Sequence, residues 1–164
     1  MPQPATSTED PLALENQVCY ALAVAARNVI GLYRPILDPL GLTHPQYLVM
    51  LALWEQSPRS LRGLASALSL EPATLSPLLR RLEAAGHLRR GRNAADERML
   101  DITLTESGRA LRDTAETIPP RVAAALDLSV AELEELREVL HRVIAASGRA
   151  ISGRPASVSE PPVR

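Results

Sequence analysis

LRGLASALSLEPATLSPLLRRLEAAGHLRRGRNAADERMLDITL, residues 61–104, decides the fold. Leu61, Leu64, Ala65 and Leu68 recur at helical spacing and mark a short amphipathic helix. Ser69-Leu70-Glu71 leaves a tight connection before Pro72, whose fixed φ and missing N–H suit the first position of a second helix. Leu75, Leu78, Leu79 and Leu82 give that helix a stripe to bury, and Gly86 is a natural left-handed stop. Two short helices joined by such a turn make a helix-turn-helix. HLRRGR then reads as a strand, NAADE as a turn, and RMLDITL as a second strand in which Leu100, Ile102 and Leu104 alternate with polar residues. A basic hairpin directly after a helix-turn-helix is a wing.

Upstream, Asp10 as N-cap and Pro11 at the first helical position open a long helix. Leu12, Cys19, Leu22, Ala26, Ile30 and Tyr33 share one of its faces. Pro35 lacks a donor and crowds the carbonyl of Gly31, which predicts a kink or break near Tyr33–Pro35. Thr43 caps a helix with Pro45 near its start; QYLVMLALWEQ is apolar nearly all round and is expected to be buried, with Trp54 in the core. SPRS reads as a break. Downstream, Thr105 caps a long helix disturbed by Pro119 and Pro120. Ser129 with Glu132 forms a capping box, Leu128 with Leu133 a hydrophobic staple, and Leu133, Leu136, Leu140, Val143 and Ile144 a stripe in need of a partner. The expected class is mainly α with a small β-hairpin wing: a winged helix-turn-helix flanked by long dimerisation helices. Residues 10–151 are expected to form a single domain, with N-terminal helices at 10–57, the winged module at 58–104 and C-terminal dimerisation helices at 105–151. Residues 1–9 and 152–164, rich in Ser, Pro and Gly, read as mobile tails.

At 164 residues the chain suits one sizeable core, and with no Phe and one Trp that core must be built from Leu, Ala and Val. No apolar run is long enough to span a bilayer, and MPQPATSTED has neither the basic patch nor the apolar stretch of a secretory signal. One cysteine can neither staple a fold nor build a metal cluster, so a cytoplasmic protein without metal or cofactor is expected. Net charge is −1, which argues against a generic polyanion binder. Its distribution says more. All 18 basic residues are Arg, and six of them fall between Arg80 and Arg98 against only Glu83, Asp96 and Glu97. A basic stripe on a near-neutral chain reads as a localised phosphate-binding face.

On the helix opened by Pro72, the leucine stripe leaves Ala73, Thr74, Ser76, Pro77, Arg80 and Arg81 facing outward. Small side chains let the backbone approach a major groove, Thr and Ser bond to base edges or phosphates, and Arg forks onto guanine. The wing supplies Arg89, Arg90, Arg92 and Arg98, with Asp96 placed to aim Arg98 into a minor groove. Taken one at a time, each of these arginines reads first as part of an ordinary solvated face; in this arrangement they read as the contacts of a double-stranded DNA binder.

The stretch from Leu64 to Gly108 resembles the winged helix of the MarR family of bacterial repressors, with Asp96-Glu97-Arg98 at the family's Asp-x-Arg wing. The elements LENQ-x-C, LYRP-x-LD and PQYL-x-x-L-x-LWE, between Leu14 and Glu55, resemble its organic-hydroperoxide-sensing, OhrR-type branch. The resemblance covers about residues 12–120. It implies a homodimeric repressor of a palindromic operator that is released when organic hydroperoxide oxidises Cys19, with Tyr33 beside the thiol. The chain departs from the branch at His44 and Ala23, where sensing tyrosines are usual, and at Glu71-Pro72-Ala73, where Asp-Ser-Gly is usual.

A thiol must be held as an anion to react quickly. Measured from a helix starting at Asp10, Cys19 lies more than two turns in, where the helix dipole has faded, so hydroxyl or imidazole donors are needed. Tyr33, 14 residues on, stands about 21 Å away along a straight helix. The two cannot meet within one straight helix but could meet across a two-fold dimer, where His44 could join them. A lone cysteine also reads as a small buried hydrophobe, and His44 as a solvent-facing first-turn residue; His87 and His141 read as ordinary surface or part-buried residues. With no second cysteine, the expected route is sulfenic acid followed by a mixed disulfide with a low-molecular-weight thiol, or over-oxidation. The alternatives are a repressor released by a small phenolic ligand bound between helices and, in a different class, a thiol peroxidase; the latter leaves the arginine-rich wing unexplained, so no enzyme is expected.

Overall fold

The computed structural model describes residues 10–93 and 99–152, which form two compact units, one ending at Pro119 and one starting at Pro120. The first holds α1 (Val18–Leu37), α2 (His44–Glu55), β1 (Arg59–Ser60), α3 (Leu61–Leu68), α4 (Pro72–Ala84), β2 (Leu88–Arg92), β3 (Leu100–Leu104) and α5 (Glu106–Ala115). Helix α6 (Ile118–Leu126) crosses the boundary, and α7 (Val130–Ser152) belongs to the second unit. Short 3-10 turns at Leu14–Asn16 and Asp38–Leu40 flank α1. The tails expected at 1–9 and 152–164 lie outside the described residues, apart from Ser152, as does the turn expected at 93–97, apart from Asn93.

Helix α2 is the hub of the first unit, lying against α1, α3, α4, α5 and β3. Thr43 caps it as the sequence predicts, and Gln46 extends that cap into a full capping box: Thr43 N donates to Gln46 Oε1 at 2.8 Å, and Gln46 N approaches Thr43 Oγ1 at 3.5 Å. Val49 and Met50 are fully buried, together with Leu64, Leu75, Leu82 and Ile102 from α3, α4 and β3. The buried face of α4 is Leu75, Leu79 and Leu82, with Leu78 half-exposed at its edge. Thr43→Ala should remove an N-cap acceptor from the central helix, costing about 1 kcal/mol and lowering Tm by about 2–4 °C. Thermal unfolding followed by circular dichroism measures it.

Four readings need correction. The α-helix begins at Val18, not after Asp10. The Asp10 carboxylate instead accepts from Leu12 N at 3.0 Å in a local turn, and the Gln17 side chain donates to Pro11 O at 2.7 Å. Leu12, placed on a shared helix face from its spacing, lies ahead of the helix and stands 85% exposed. Pro35 does not break α1, which runs on to Leu37; in the last turn the missing N–H deprives only the Gly31 carbonyl of a partner. SPRS contains a strand: β1 pairs antiparallel with β3, Arg59 opposite Ile102, giving a three-stranded sheet of order β1-β3-β2 instead of a bare hairpin. Finally, the helix opened by Thr105 ends at Ala115, and a new one starts at Ile118. Pro119 and Pro120 thus fall in a first turn, where helix N–H groups have no intrahelical partner and proline forfeits nothing.

In the second unit, the box at the start of α7 is present: Ser129 N donates to Glu132 Oε2 at 2.8 Å and Glu132 N to Ser129 Oγ at 3.3 Å. Bonds from the Ser129 hydroxyl and amide hold the Glu132 carboxyl below its usual range. Leu136, Val139, Val143 and Ile144 recur along α7 and are exposed.

Candidate nucleic-acid interface and cysteine site

Helices α3 and α4 are set by their ends. Ser60 caps α3, accepting from Gly63 N at 3.0 Å, and Ser69 takes the left-handed conformation that closes it, with φ 53°. Pro72 opens α4; Glu71 provides no side-chain cap. Ala73, Thr74, Pro77, Arg80 and Arg81 are exposed on α4. Ser76 is half-buried and turns its hydroxyl proton back onto the Pro72 carbonyl at 2.8 Å, leaving only its lone pairs for an outside donor. Helix α4 ends in a Schellman motif. Gly86, at φ +81°, donates to Glu83 O at 2.9 Å, and His87 N donates to Leu82 O at 3.0 Å.

That motif delivers the chain into the wing at a fixed angle, and Thr105 pins the same point from the other side. Its hydroxyl donates to Gly86 O at 2.6 Å and accepts from Gly108 N at 3.0 Å, while its N–H donates to His87 O at 3.1 Å. Trp54 reaches across from α2, donating Nε1 to Gly108 O at 2.8 Å. In the β2–β3 ladder, Arg89 lies opposite Thr103, Arg90 opposite Ile102 and Arg92 opposite Leu100. Arg89 and Arg92 are exposed; Arg90 is half-buried. The wing narrows through a bond from Asn93 Nδ2 to Asp101 Oδ2 at 2.7 Å. Asp96 and Arg98 lie outside the described residues. Glu83, which pairs with Arg90, was not singled out from the sequence, although a Glu three residues before the helix-ending Gly86 and seven before a strand Arg was the available signal.

Cys19 is exposed, and because α1 starts at Val18 it stands in the first turn, where helix N–H groups are unpaired and the dipole favours an anion. The sequence reading that put it beyond the dipole's reach rested on the wrong helix start. Tyr33 and His44 do come together, ring centroids 4.9 Å apart and edge to face. Tyr47, which the sequence reading left in the core, lies 5.8 Å from Tyr33 and 6.3 Å from Trp54. Burial raises the Tyr33 phenol and lowers His44, so His44 meets neutral pH as an uncharged imidazole, a hydrogen-bonding group and not a cation. Burial, then the neighbouring Tyr33, raises Tyr47. A cleft of about 480 Å³ opens beside His44, lined in part by Arg27, Ile30, Arg34 and Leu42.

Comparison with known proteins agrees with this layout. A family model described as transcriptional regulator SarA/Rot matches residues 31–114. The HTH-type transcriptional regulator TtmR of Methylorubrum extorquens (strain PA1) is 40% identical over 143 residues, 83% of this chain and 73% of that protein. The organic hydroperoxide resistance transcriptional regulator of Bacillus subtilis (strain 168) is 36% identical over 135 residues, 82% of this chain and 92% of that one. Reduced AbfR bound to DNA superposes with a TM-score of 0.72 at 33% identity, covering 84% of this chain and 94% of that one. AbfR, from Staphylococcus epidermidis, has also been solved overoxidised on DNA and in a disulfide-formed state. A helix-turn-helix with its wing, a matching family model and relatives of this identity along most of the chain make it a DNA-binding member of the SarA/Rot and MarR-type winged-helix transcriptional regulators, in the branch of the organic hydroperoxide resistance regulators.

Proposed function

We propose that the chain is a homodimeric repressor that reads a palindromic operator in double-stranded DNA and releases it when an organic hydroperoxide oxidises Cys19. The observation that carries this reading is the placement of the thiol. Cys19 is exposed in the first turn of α1, while Tyr33 and His44, the donors suited to it, cluster at that helix's other end. Two chains running antiparallel would bring each thiol to the other's cluster. The apolar side chains left exposed on α7, and Leu14, Val18 and Ile30 around α1, supply surface for such a pairing. The thiolate sulfur attacks the distal peroxide oxygen, the O–O bond breaks, the alcohol leaves after taking a proton, and the sulfur is left as sulfenic acid. A low-molecular-weight thiol then displaces water to give a mixed disulfide. Because an overoxidised relative still sits on DNA, the thiol adduct is the favoured releasing form over further oxidation. Each chain is oxidised once, without turnover, so the role is regulatory and not enzymatic, and the reducing cytoplasm is its compartment.

On DNA, α4 would enter the major groove with Ala73, Thr74 and Pro77 close to the bases, Ser76 as an acceptor, and Arg80 and Arg81 on guanine or phosphate. The wing would follow the backbone with Arg89 and Arg92. A gel shift on the protein's own upstream DNA, with and without cumene hydroperoxide and glutathione, tests the whole reading. Wild type should be released and rebind after dithiothreitol; Cys19→Ser should bind and stay bound. Peroxide release of the serine variant would overturn it. The cleft beside His44 favours one second reading, release by a small phenolic ligand, in which case such a ligand frees wild type and Cys19→Ser alike.

A further inference from the structure

We propose that Glu83 is a positioning residue for DNA reading: it clamps the wing to the recognition helix through Arg90, and Arg90 is thereby an internal strut and not a phosphate contact. The Glu83 carboxylate accepts from Arg90 N at 2.9 Å and from Arg90 Nε at 2.7 Å, and an Arg90 terminal nitrogen stands 2.5 Å away. One carboxylate therefore holds both the backbone and the side chain of the same strand residue, which a charge pair alone would not do. These bonds hold its carboxyl below the usual range.

Sheet register explains why Arg90 is the arginine that turns inward. Leu88 is 1% exposed, and side chains two apart along a strand share a face, so Arg90 lies over α4 while Arg89 projects from the opposite side. Helix α4 and β2 are thus joined twice within a few residues, by the Schellman motif at Gly86 and by this clamp beyond it. The first fixes where the wing starts; the second fixes its tilt. Tilt matters because α4 and the wing must meet adjacent grooves together.

The proposal rests on DNA binding and not on the cysteine reading, so the two fail separately. It also reverses a simple electrostatic expectation. Removing a carboxylate beside a phosphate-facing surface should strengthen binding. Loss of the clamp should weaken it. In operator titrations by fluorescence anisotropy, Glu83→Gln should bind about tenfold more weakly than wild type. Arg90→Lys, which keeps the charge but loses the Nε fork, should fall with it. Arg90→Gln should weaken binding while leaving the slope of log K against log salt unchanged, because no phosphate contact is lost. Thermal midpoints of all three should stay near wild type, since the pair is about one-third exposed (29% and 33%) and adds little to global stability. Equal or tighter binding by Glu83→Gln, or a slope shallower by about two for the Arg90→Gln dimer, would overturn it.

Discussion

Gly108→Ala should destabilise the chain by about 3 kcal/mol, although the same change in an open helix stabilises by about 1 kcal/mol. Gly108 is in the first turn of α5, and a Cβ placed there would lie 1.9 Å from the backbone oxygen of His87, 2.9 Å from its carbonyl carbon and 3.2 Å from Leu104 Cδ2. The carbonyl has no room to retreat. It already accepts from Thr105 N at 3.1 Å, and the flanking Gly86 carbonyl is held by the Thr105 hydroxyl. The glycine is held as well, its N–H by Thr105 Oγ1 and its carbonyl by Trp54 Nε1. Relief therefore means breaking at least one bond at the root of the wing. Expected readouts are a fall in Tm of about 10 °C, a shift in the emission of Trp54 as its bond to Gly108 is disturbed, and weaker operator binding, because His87 begins the turn into β2. A rise in Tm would show that the contact relaxes freely and that α5 is not seated on the wing.

Why the DNA-reading half of the molecule was legible, and the half around Cys19 less so, follows from the kind of signal each carries. Leu75, Leu79 and Leu82 declare a helix face by spacing, Pro72 and Gly86 mark its ends by their own backbone chemistry, and Leu100, Ile102 and Leu104 declare a strand. Those signals are local, and the structure follows them. The start of α1 was misread because Asp10-Pro11 carries the signature of a helix cap while its carboxylate serves a shorter turn, closed by the Gln17 amide. That error carried over to Cys19, whose position relative to the helix dipole depends wholly on where the helix begins. β1 was missed because two residues are too few to show alternation; only pairing with Ile102 and Asp101 defines it. The arginine cluster was visible as charge, but which arginine turns inward depends on register against β3, and that is a tertiary fact. Tyr33 and His44 were suggested by resemblance; their edge-to-face contact, and the buried Tyr47 beside them, needed the fold of α1 back onto α2.

Raising salt from 50 to 200 mM should weaken operator binding by about three orders of magnitude, given the arginines that the fold leaves facing outward. With a net charge of −1, the chain as a whole gives DNA no long-range attraction. Phosphate affinity must then come from a local set. Arg80 and Arg81 on α4 and Arg89 on β2 are exposed and have no side-chain hydrogen bond or ion pair to any described residue, whereas Arg90 is engaged by Glu83. Counting these three alone, the two protomers of the proposed dimer give six, to which Arg92 would add. Each neutralised phosphate contributes about −0.9 to the slope of log K against log salt, so six give about −5, and a fourfold rise in salt costs about a thousandfold. Arg89→Ala should make the dimer's slope shallower by about two and weaken binding to every sequence alike, as expected of a residue that grips the backbone. Arg80→Ala should do more to relax discrimination at one base pair if its fork reaches guanine. A measured slope near −2 for wild type would mean that most of these arginines face water in the complex, and that base edges and groove shape, not backbone charge, hold the protein on its operator.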